Sequence, residues 1–340
     1  MTSKIRLLDD APSIESLQAL LVFVESGGVA AAAEALDLPQ PTMSRRLQVF
    51  QRRDAAGEAI LVRRGRNLRL TDKGQAALPA IRELVRQFDQ LDRFLKGTPA
   101  AVQVVRVGLG SFGAQHYLPR ALAELRQRKV ACAIQTEVLR GQDRILGVVE
   151  GRLDVALVTH DPRQVQMIVS ASTNPKAPLV VEPLATHVFS VLAMLGTPLA
   201  SELRATAANR PVPLSLLARG AFVGLDAQSG IRLQLEAEFH RLGQPLQFVG
   251  DTTAGGWAAA KEYTRHGLGP AIIPLSALAA GDEQAFALRR LPDRFAVTDY
   301  VIRRKGSDGA AEEELLRALR LAAIQCSKAA QEMFKGLLVM

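Results

Sequence analysis

Near the amino end, apolar residues recur at helical spacing in three short runs. Ile14, Leu17, Leu21 and Val24 form one face of a first helix, which opens after the capping candidate Ser13 and stops at Gly27 and Gly28. Val29, Ala32, Ala33 and Leu36 mark a second helix directly behind it. A third begins near Pro41, a residue tolerated in a first turn because its missing N–H would have no partner there, and buries Met43, Leu47 and Phe50. At about 100° per residue, that stripe leaves Pro41, Arg45, Gln48 and Arg52 on the opposite face, flanked by Thr42 and Arg46. The period then changes to strict alternation over 59–64 and 67–70, around a turn at Gly65, which predicts a basic β-hairpin, or wing.

From Thr71 the helical period returns. Ile81, Leu84, Phe88, Leu91 and Leu95 are spaced by threes and fours, a narrow seam of the kind that buries itself against a second helix and implies a dimer. Packing of the same stripe on its own domain is the alternative. Pro79 predicts a kink near the start, and Gly97, Thr98 and Pro99 break the helix and read as a hinge. Beyond it, strand-like runs at 102–109, 131–138 and 153–159 alternate with helical runs at 118–128 and 144–150, which is the order of a largely parallel α/β sheet. A second set of strands is expected at 188–194, 221–225 and 246–250, with a helix at 231–242. The chain then returns through 270–274 and 297–303 to a last helix at about 311–330.

Length and charge sharpen this picture. A chain of 340 residues suits two or three domains, and 48% hydrophobic with 22% charged residues is ordinary globular composition. Two cysteines, Cys132 and Cys326, without a Cys-x-x-Cys spacing fit a reducing compartment. Met1 to Asp10 contains two acids where a secretory leader needs an apolar run, and charges interrupt every later apolar stretch, so a cytoplasmic protein without a membrane partner is expected. Of the net charge of +8, residues 40–74 hold +6, from nine Lys or Arg against three Asp or Glu. That density is the footprint of a binder of the phosphate backbone. A helix carrying Arg and Gln outward fits the major groove, where Arg pairs with guanine and Gln with adenine.

Three ordered stretches carry a family resemblance. Ala32-Ala33-Glu34-Ala35-Leu36, then Gln40-Pro41-Thr42-Met43-Ser44-Arg45-Arg46-Leu47, then Arg64-Gly65-Arg66-Asn67-Leu68-Arg69-Leu70-Thr71, together resemble the DNA-binding domain of LysR-type transcriptional regulators. Weaker echoes of the periplasmic-binding-protein-like sensor of that family follow, among them Val107-Gly108, the run from Gly151 to Leu157, Pro198-Leu199-Ala200 and Gly267-Leu268-Gly269. The resemblance implies a winged helix-turn-helix over 1–70, a linker helix that dimerises over 71–97, and a regulatory domain over 98–340. Within the last, lobe I would span about 100–180 and 268–340 and lobe II about 181–267. It implies contacts with double-stranded promoter DNA through Gln40, Pro41, Thr42, Arg45, Arg46, Gln48, Arg52, Arg64 and Arg66. It also implies a homodimer or homotetramer that acts on RNA polymerase under control of a small-molecule effector. Two departures stand out: Pro39 replaces the usual capping Ser, and the connection 52–60 is about two residues longer than usual.

Ligands of such folds sit at the carboxyl ends of strands against helix N-termini, which favour anions. Resemblance and that geometry nominate Ser111, Thr159, His160, Ser229, Thr252 and Thr253, each of which could equally be a helix cap or turn residue. Gly108-x-Gly110-x-x-Gly113, with Glu137 later, is a literal dinucleotide fingerprint and makes a nicotinamide-nucleotide oxidoreductase the rival reading. Against it, the motif follows a complete DNA-binding module, and Pro119 interrupts the helix that would cradle the pyrophosphate. A DNA-binding protein without an effector is the third reading. His116, His160, His187, His240 and His266 show no metal-ligand spacing, so neither metal nor cofactor nor enzymatic activity is expected.

Overall fold

The structure, a computed structural model, describes residues 12–54, 56–65, 67–96, 103–172, 174–207, 210–217, 220–225, 230–252, 256–306 and 309–333. They form two units, built chiefly on residues before and after position 103.

In the first unit, Ser13 caps α1 (Ile14–Ser26) by accepting the Ser16 N–H at 3.3 Å, and Gly27 ends it at φ 72°, a left-handed conformation that suits glycine. Then come α2 (Val29–Ala35) and α3 (Gln40–Gln48), which tightens into a 3₁₀ turn over Val49–Gln51. The hairpin of β1 (Leu61–Arg64) and β2 (Asn67–Leu70) follows, with Gly65 at φ 61°, and leads to α4 (Asp72–Leu95). The core joins Leu17, Leu20 and Phe23 to Ala32, Ala33, Met43, Leu47, Phe50, Leu61 and Ile81.

Three expectations shift here. The deepest face of α1 is Leu17, Leu20 and Phe23, with Ile14, Leu21 and Val24 only partly buried, because a helix with apolar residues on more than one face lets its neighbours choose which is buried. The α-helical stretch of α3 stops before Arg52, whose backbone is extended (φ −70°, ψ 138°), so Arg52 leaves the outer face of that helix. The stripe on α4 is divided: Ile81 is buried in the core of this unit, while Leu84, Phe88, Leu91 and Leu95 are exposed. Pro79 lies inside a helix that runs on past it, and the expected hinge at Gly97 to Pro99 lies outside the described residues.

The second unit contains two five-stranded sheets. In chain order its elements are β3 (Gln103–Leu109), α5 (Leu118–Gln127), β4 (Cys132–Val138), α6 (Gly141–Val149), β5 (Val155–Val158), α7 (Pro162–Ser170), β6 (Leu179–His187), β7 (Phe189–Met194), α8 (Pro198–Ala205) and α9 (Leu214–Leu217). They continue as β8 (Ala221–Leu225), α10 (Gly230–Arg241), β9 (Gln247–Thr252), α11 (Gly256–Arg265), β10 (Ala271–Pro274), α12 (Asp282–Ala285), β11 (Phe286–Arg290), β12 (Val297–Arg304) and α13 (Ala310–Met333). The first sheet runs β4-β3-β5-β12-β6 and the second β11-β7-β10-β8-β9.

Both sheets are mixed rather than largely parallel. β3 pairs parallel with β4 and β5, and β8 with β9 and β10, but β12 runs antiparallel to β5 and β6, and β7 antiparallel to β10 and β11. The antiparallel strands are those that carry the chain between sheets. It leaves the first through β6 and enters the second through β7, with Val188 alone between them. It returns between β11 and β12, because β10 pairs with β7 and β8 and so belongs to the second sheet. The return therefore falls after Arg290, not near 268, and β6 remains in the first sheet. β5 is buried at all four positions, as a central strand covered on both faces must be. α5 and α13 cover one face of the first sheet through Leu125, Leu315 and Leu319. Alternating residues divide β7 between two cores, with Val191 and Ala193 on one face and Leu192 on the other.

Candidate functional site

The basic region is a surface held from beneath. Met43 and Leu47 are fully buried, which fixes the rotation of α3 and leaves Gln40, Pro41, Arg45 and Gln48 exposed, with Thr42 and Arg46 half-buried beside them. Pro39 stands at the N-cap without a side-chain hydrogen bond, so the first N–H groups of α3 lack the usual side-chain acceptor. On the hairpin Arg64 is exposed, and so are Arg63 and Arg69, which sequence reasoning did not nominate; alternation with Leu68 and Leu70 would have found Arg69, whereas Arg63 shares the face of buried Leu61 and gave no such signal. Arg66 lies outside the described residues.

The long connection into the hairpin is ordered by Asp54. Its Oδ1 accepts the N–H groups of Ala56 and Glu58 at 2.9 and 3.0 Å, and its Oδ2 pairs with Lys73 of α4. The hydrogen bond from Lys73 holds the Asp54 carboxyl below its ordinary range. Thr71 donates to the Ala59 carbonyl at 2.6 Å and accepts the Gly74 N–H at 3.0 Å, so it closes the hairpin and opens α4 at once. Wing and helix are thereby joined at a common base.

The second candidate lies at the carboxyl ends of β3 and β5. Ser111 and Thr159 are half-buried there. The Ser111 Cβ lies 3.1 Å from where a Cβ on Gly256 would be, so the end of the first lobe's strand meets the N-terminus of α11 in the second lobe. His160 packs its ring against Gly141 at the start of α6, where an added Cβ would fall 2.4 Å from Cε1, and its Nδ1 is buried without a hydrogen-bond partner. Burial, then the nearby Arg144 charge, push the His160 pKa down, which favours neutral imidazole. Thr252 ends β9, with its side chain outside the described residues, and Ser229 and Thr253 lie outside them altogether.

Sequence reasoning passed over Arg144. It opens the apolar run Ile145-Leu146-Gly147-Val148-Val149, and a lone arginine on a helix expected to be buried was the available signal. Its guanidinium lies against Gly110, with a Cβ there 3.3 and 3.4 Å from Nη1 and Nη2; Nη1 donates to the Leu157 carbonyl, and Nε is buried without a partner. Burial lowers its pKa to about 10, so it keeps its charge at neutral pH.

The same contacts account for the glycine fingerprint. A Cβ on Gly108 would come 2.5 Å from Leu153 Cδ1, and one on Gly113 would come 3.3 Å from Leu109 and Leu157, so each glycine answers to packing within the lobe. Pro119 does not break the following helix, since it occupies the first turn of α5 after a π-helical turn over Gly113–Tyr117. Where the lobes join, His187 is buried and bonded through both ring nitrogens: Nδ1 lies 2.8 Å from Ser276 Oγ, and Nε2 lies 2.6 Å from Tyr117 Oη and 2.9 Å from Asp299 Oδ2. Among the described residues no group of three or more His, Cys, Asp or Glu could hold a metal ion, and no single helix is long and apolar enough to cross a membrane.

Two family models match the chain. The family model for the LysR substrate binding domain matches residues 101–323, and that for the bacterial regulatory helix-turn-helix protein of the lysR family matches 14–75. A RuBisCO operon transcriptional regulator of Allochromatium vinosum is 27% identical over 266 residues, which cover 77% of this chain and 80% of that protein. A probable hydrogen peroxide-inducible genes activator of Mycobacterium avium is 27% identical over 270 residues, 78% of this chain and 79% of its own. Among solved structures, ArgP from Mycobacterium tuberculosis superposes with a TM-score of 0.66 at 17% identity, covering 91% of this chain and 96% of that one. LysG from Corynebacterium glutamicum with bound effector Arg gives 0.63 at 16% identity, covering 92% and 98%. At such identity the structural likeness speaks for the fold.

Proposed function

The chain belongs to the LysR family of transcriptional regulators, with a DNA-binding helix-turn-helix ahead of an effector-binding domain, and on that premise we propose which residues perform each task. α3 enters the major groove, and Gln40, Thr42, Arg45 and Gln48 meet base edges while Pro41 and Arg46 border the helix. Arg64 and Arg66 of the wing, joined by Arg63 and Arg69, neutralise backbone phosphates, as does Arg52 from the connection. The exposed half of the α4 seam, from Leu84 to Leu95, pairs two chains, so that two α3 helices address an interrupted palindrome. The working domain limits are 1–70, 71–97 and 98–340, with the second lobe extended to the end of β11.

An effector binds between the lobes at Ser111, Thr159 and His160, and Ser229, Thr252 and Thr253 are the further contacts assigned to it. It acts by favouring one placement of the DNA-binding pairs over another, which changes the access of RNA polymerase. The protein works in the cytoplasm as a regulator and not as an enzyme. The observation that carries this reading is the amphipathic rod of α3, anchored by fully buried Met43 and Leu47 beneath exposed Arg45 and Gln48. Electrophoretic retardation of genomic fragments by the purified protein tests it, with binding expected to weaken steeply between low and moderate salt. Complete lack of salt-sensitive retardation of any fragment would refute it.

A further inference from the structure

Arg144 presents a problem of chemistry. A guanidinium carries five N–H donors and no acceptor, and removal of such a charge from water without a partner is costly. Among the described residues no carboxylate lies within ion-pair distance of it; its hydrogen bond goes to the Leu157 carbonyl through Nη1, and Nε is buried and unpaired. Nε and Nη2 form the flank of a guanidinium that receives both oxygens of a carboxylate in parallel. That flank is the part of Arg144 left without a protein acceptor, and the group rests on Gly110 at the end of β3, one residue before Ser111, which meets the N-terminus of α11. His160, with Nδ1 buried and unpaired and its pKa lowered by burial, is near enough for the charge of Arg144 to act on it.

Deepening the proposed effector site, on which this inference rests, we propose that Arg144 is the anion anchor of the interlobe cleft and that the effector is a small monocarboxylate seated on the Nε and Nη2 edge. The single negative charge follows from the electrostatics of the cleft. Arg144 is the cation that rests on Gly110, the lowered pKa of His160 disfavours a second positive charge beside it, and the carboxylates of Asp299 and Asp143 are within electrostatic reach of Arg144 and oppose a second negative charge. Ser111 lies beside Arg144 on the first-lobe side and meets the first N–H groups of α11 on the second-lobe side, so the same anion would hold both lobes together.

Trp257, the single tryptophan, occupies the first turn of α11 next to Gly256 and packs edge-on against Phe189 at 5.6 Å between ring centroids, which supplies a fluorescent reporter at the cleft. The test titrates the full chain with acetate, pyruvate and benzoate, with acetamide, pyruvamide and benzamide as uncharged counterparts and sulfate and phosphate as dianions. A saturable change in Trp257 emission is expected with at least one monocarboxylate and not with its amide. In Arg144→Gln the Kd for that carboxylate should rise about 30-fold or more, and in Arg144→Lys by less, since the charge remains but the parallel donor pair is lost. Circular dichroism establishes that each variant is folded, and Arg144→Lys keeps the comparison available if Arg144→Gln is not. A flat signal for all three carboxylates up to roughly 10 mM, beyond the weak limit of specific binding, would overturn the inference. So would saturation by dianions alone, equal binding of the amide, or an unchanged Kd in the arginine variants. Retardation of DNA by the unsubstituted chain is measured alongside: if it persists while the carboxylates fail, the anchor is wrong and the regulator reading stands.

Discussion

Asp299 on β12 and His187 at the end of β6 meet at 2.9 Å, Oδ2 to Nε2, on the strands by which the chain enters and leaves the first sheet. The pairing of β12 with β6 shifts register between Asp299 and Tyr300, and such an irregularity re-aims a side chain at a sheet's edge. Tyr117 donates to Asp299 at 2.9 Å, and the other nitrogen of His187 reaches Ser276, in the 3₁₀ turn after β10 of the second lobe. Burial, then the Asp299 charge, push the Tyr117 phenol well above its ordinary range, so it remains a donor.

Tyr117→Phe removes the hydrogen bond to the partly buried Asp299 carboxylate, together with the hydroxyl's contact with His187 Nε2, and should destabilise the chain by about 1.5–3 kcal/mol. Urea denaturation followed by circular dichroism checks it. A change under about 0.5 kcal/mol would show that this network does not hold the lobes.

Acid should weaken the fold through two histidines. Burial, then nearby Arg120 for His116 and Arg144 for His160, depress both pKa values below 6.5. The unfolded chain therefore takes up protons first. Their contribution to stability is complete above the unfolded value and falls away as pH drops through the folded one. Melting temperature measured from pH 7.5 to pH 5 should decline, and less so in His160→Gln; equal slopes in the two proteins would contradict the sign.

The division of the α4 seam separates two phenotypes. Leu84→Asp with Leu91→Asp, both at exposed positions, should give a monomer with an intact helix-turn-helix. Ile81→Asp puts a charge into the core of the first unit and should unfold that unit, at a cost of several kcal/mol. Sedimentation and circular dichroism distinguish the outcomes, and a double variant that still dimerised would exclude the exposed half as the interface.

Arg45→Ala should lose about 1–3 kcal/mol of operator binding and relax preference at one base pair. Arg64→Ala should instead weaken all sequences alike and reduce the salt slope by about one unit. Binding titrations at several salt concentrations on matched and scrambled operators separate the two roles; identical behaviour of both variants would remove Arg45 from base readout.

Gly74 opens α4 so close to the hairpin that an added Cβ would lie 2.3 Å from the Ile60 carbonyl oxygen. Gly74→Ala, which would ordinarily favour a helix, should destabilise the first unit by about 1–3 kcal/mol. A raised melting temperature would show that wing and helix are not joined as described.

Most of the first unit was legible in the sequence because its signals are local. Ser13, Gly27 and Gly65 mark ends and turns through backbone chemistry that needs no distant partner, and Met43 with Leu47 orients α3 through helical period alone. The face of α1 and the role of Ile81 were not legible, since an apolar residue does not state which neighbour it will cover. In the second unit the strands were visible and their partners were not. β6 and β11 went unread as strands, and β10 was placed in the wrong lobe, because sheet membership is settled by pairing between residues far apart in the chain, such as Ala271 with Leu192.

Sequence alone determined the basic rod, its anchoring face, the wing and the alternation of strands and helices, all of which follow from periods and turn residues within a few positions of one another. Tertiary structure decided where the chain crosses between lobes, which half of α4 is left uncovered, and that Arg144, Gly110, Ser111 and Gly256 converge. The physical reason is that burial and charge pairing depend on what else occupies the same space, and in this chain those neighbours come from segments more than a hundred residues apart, as with Ser111 and Gly256.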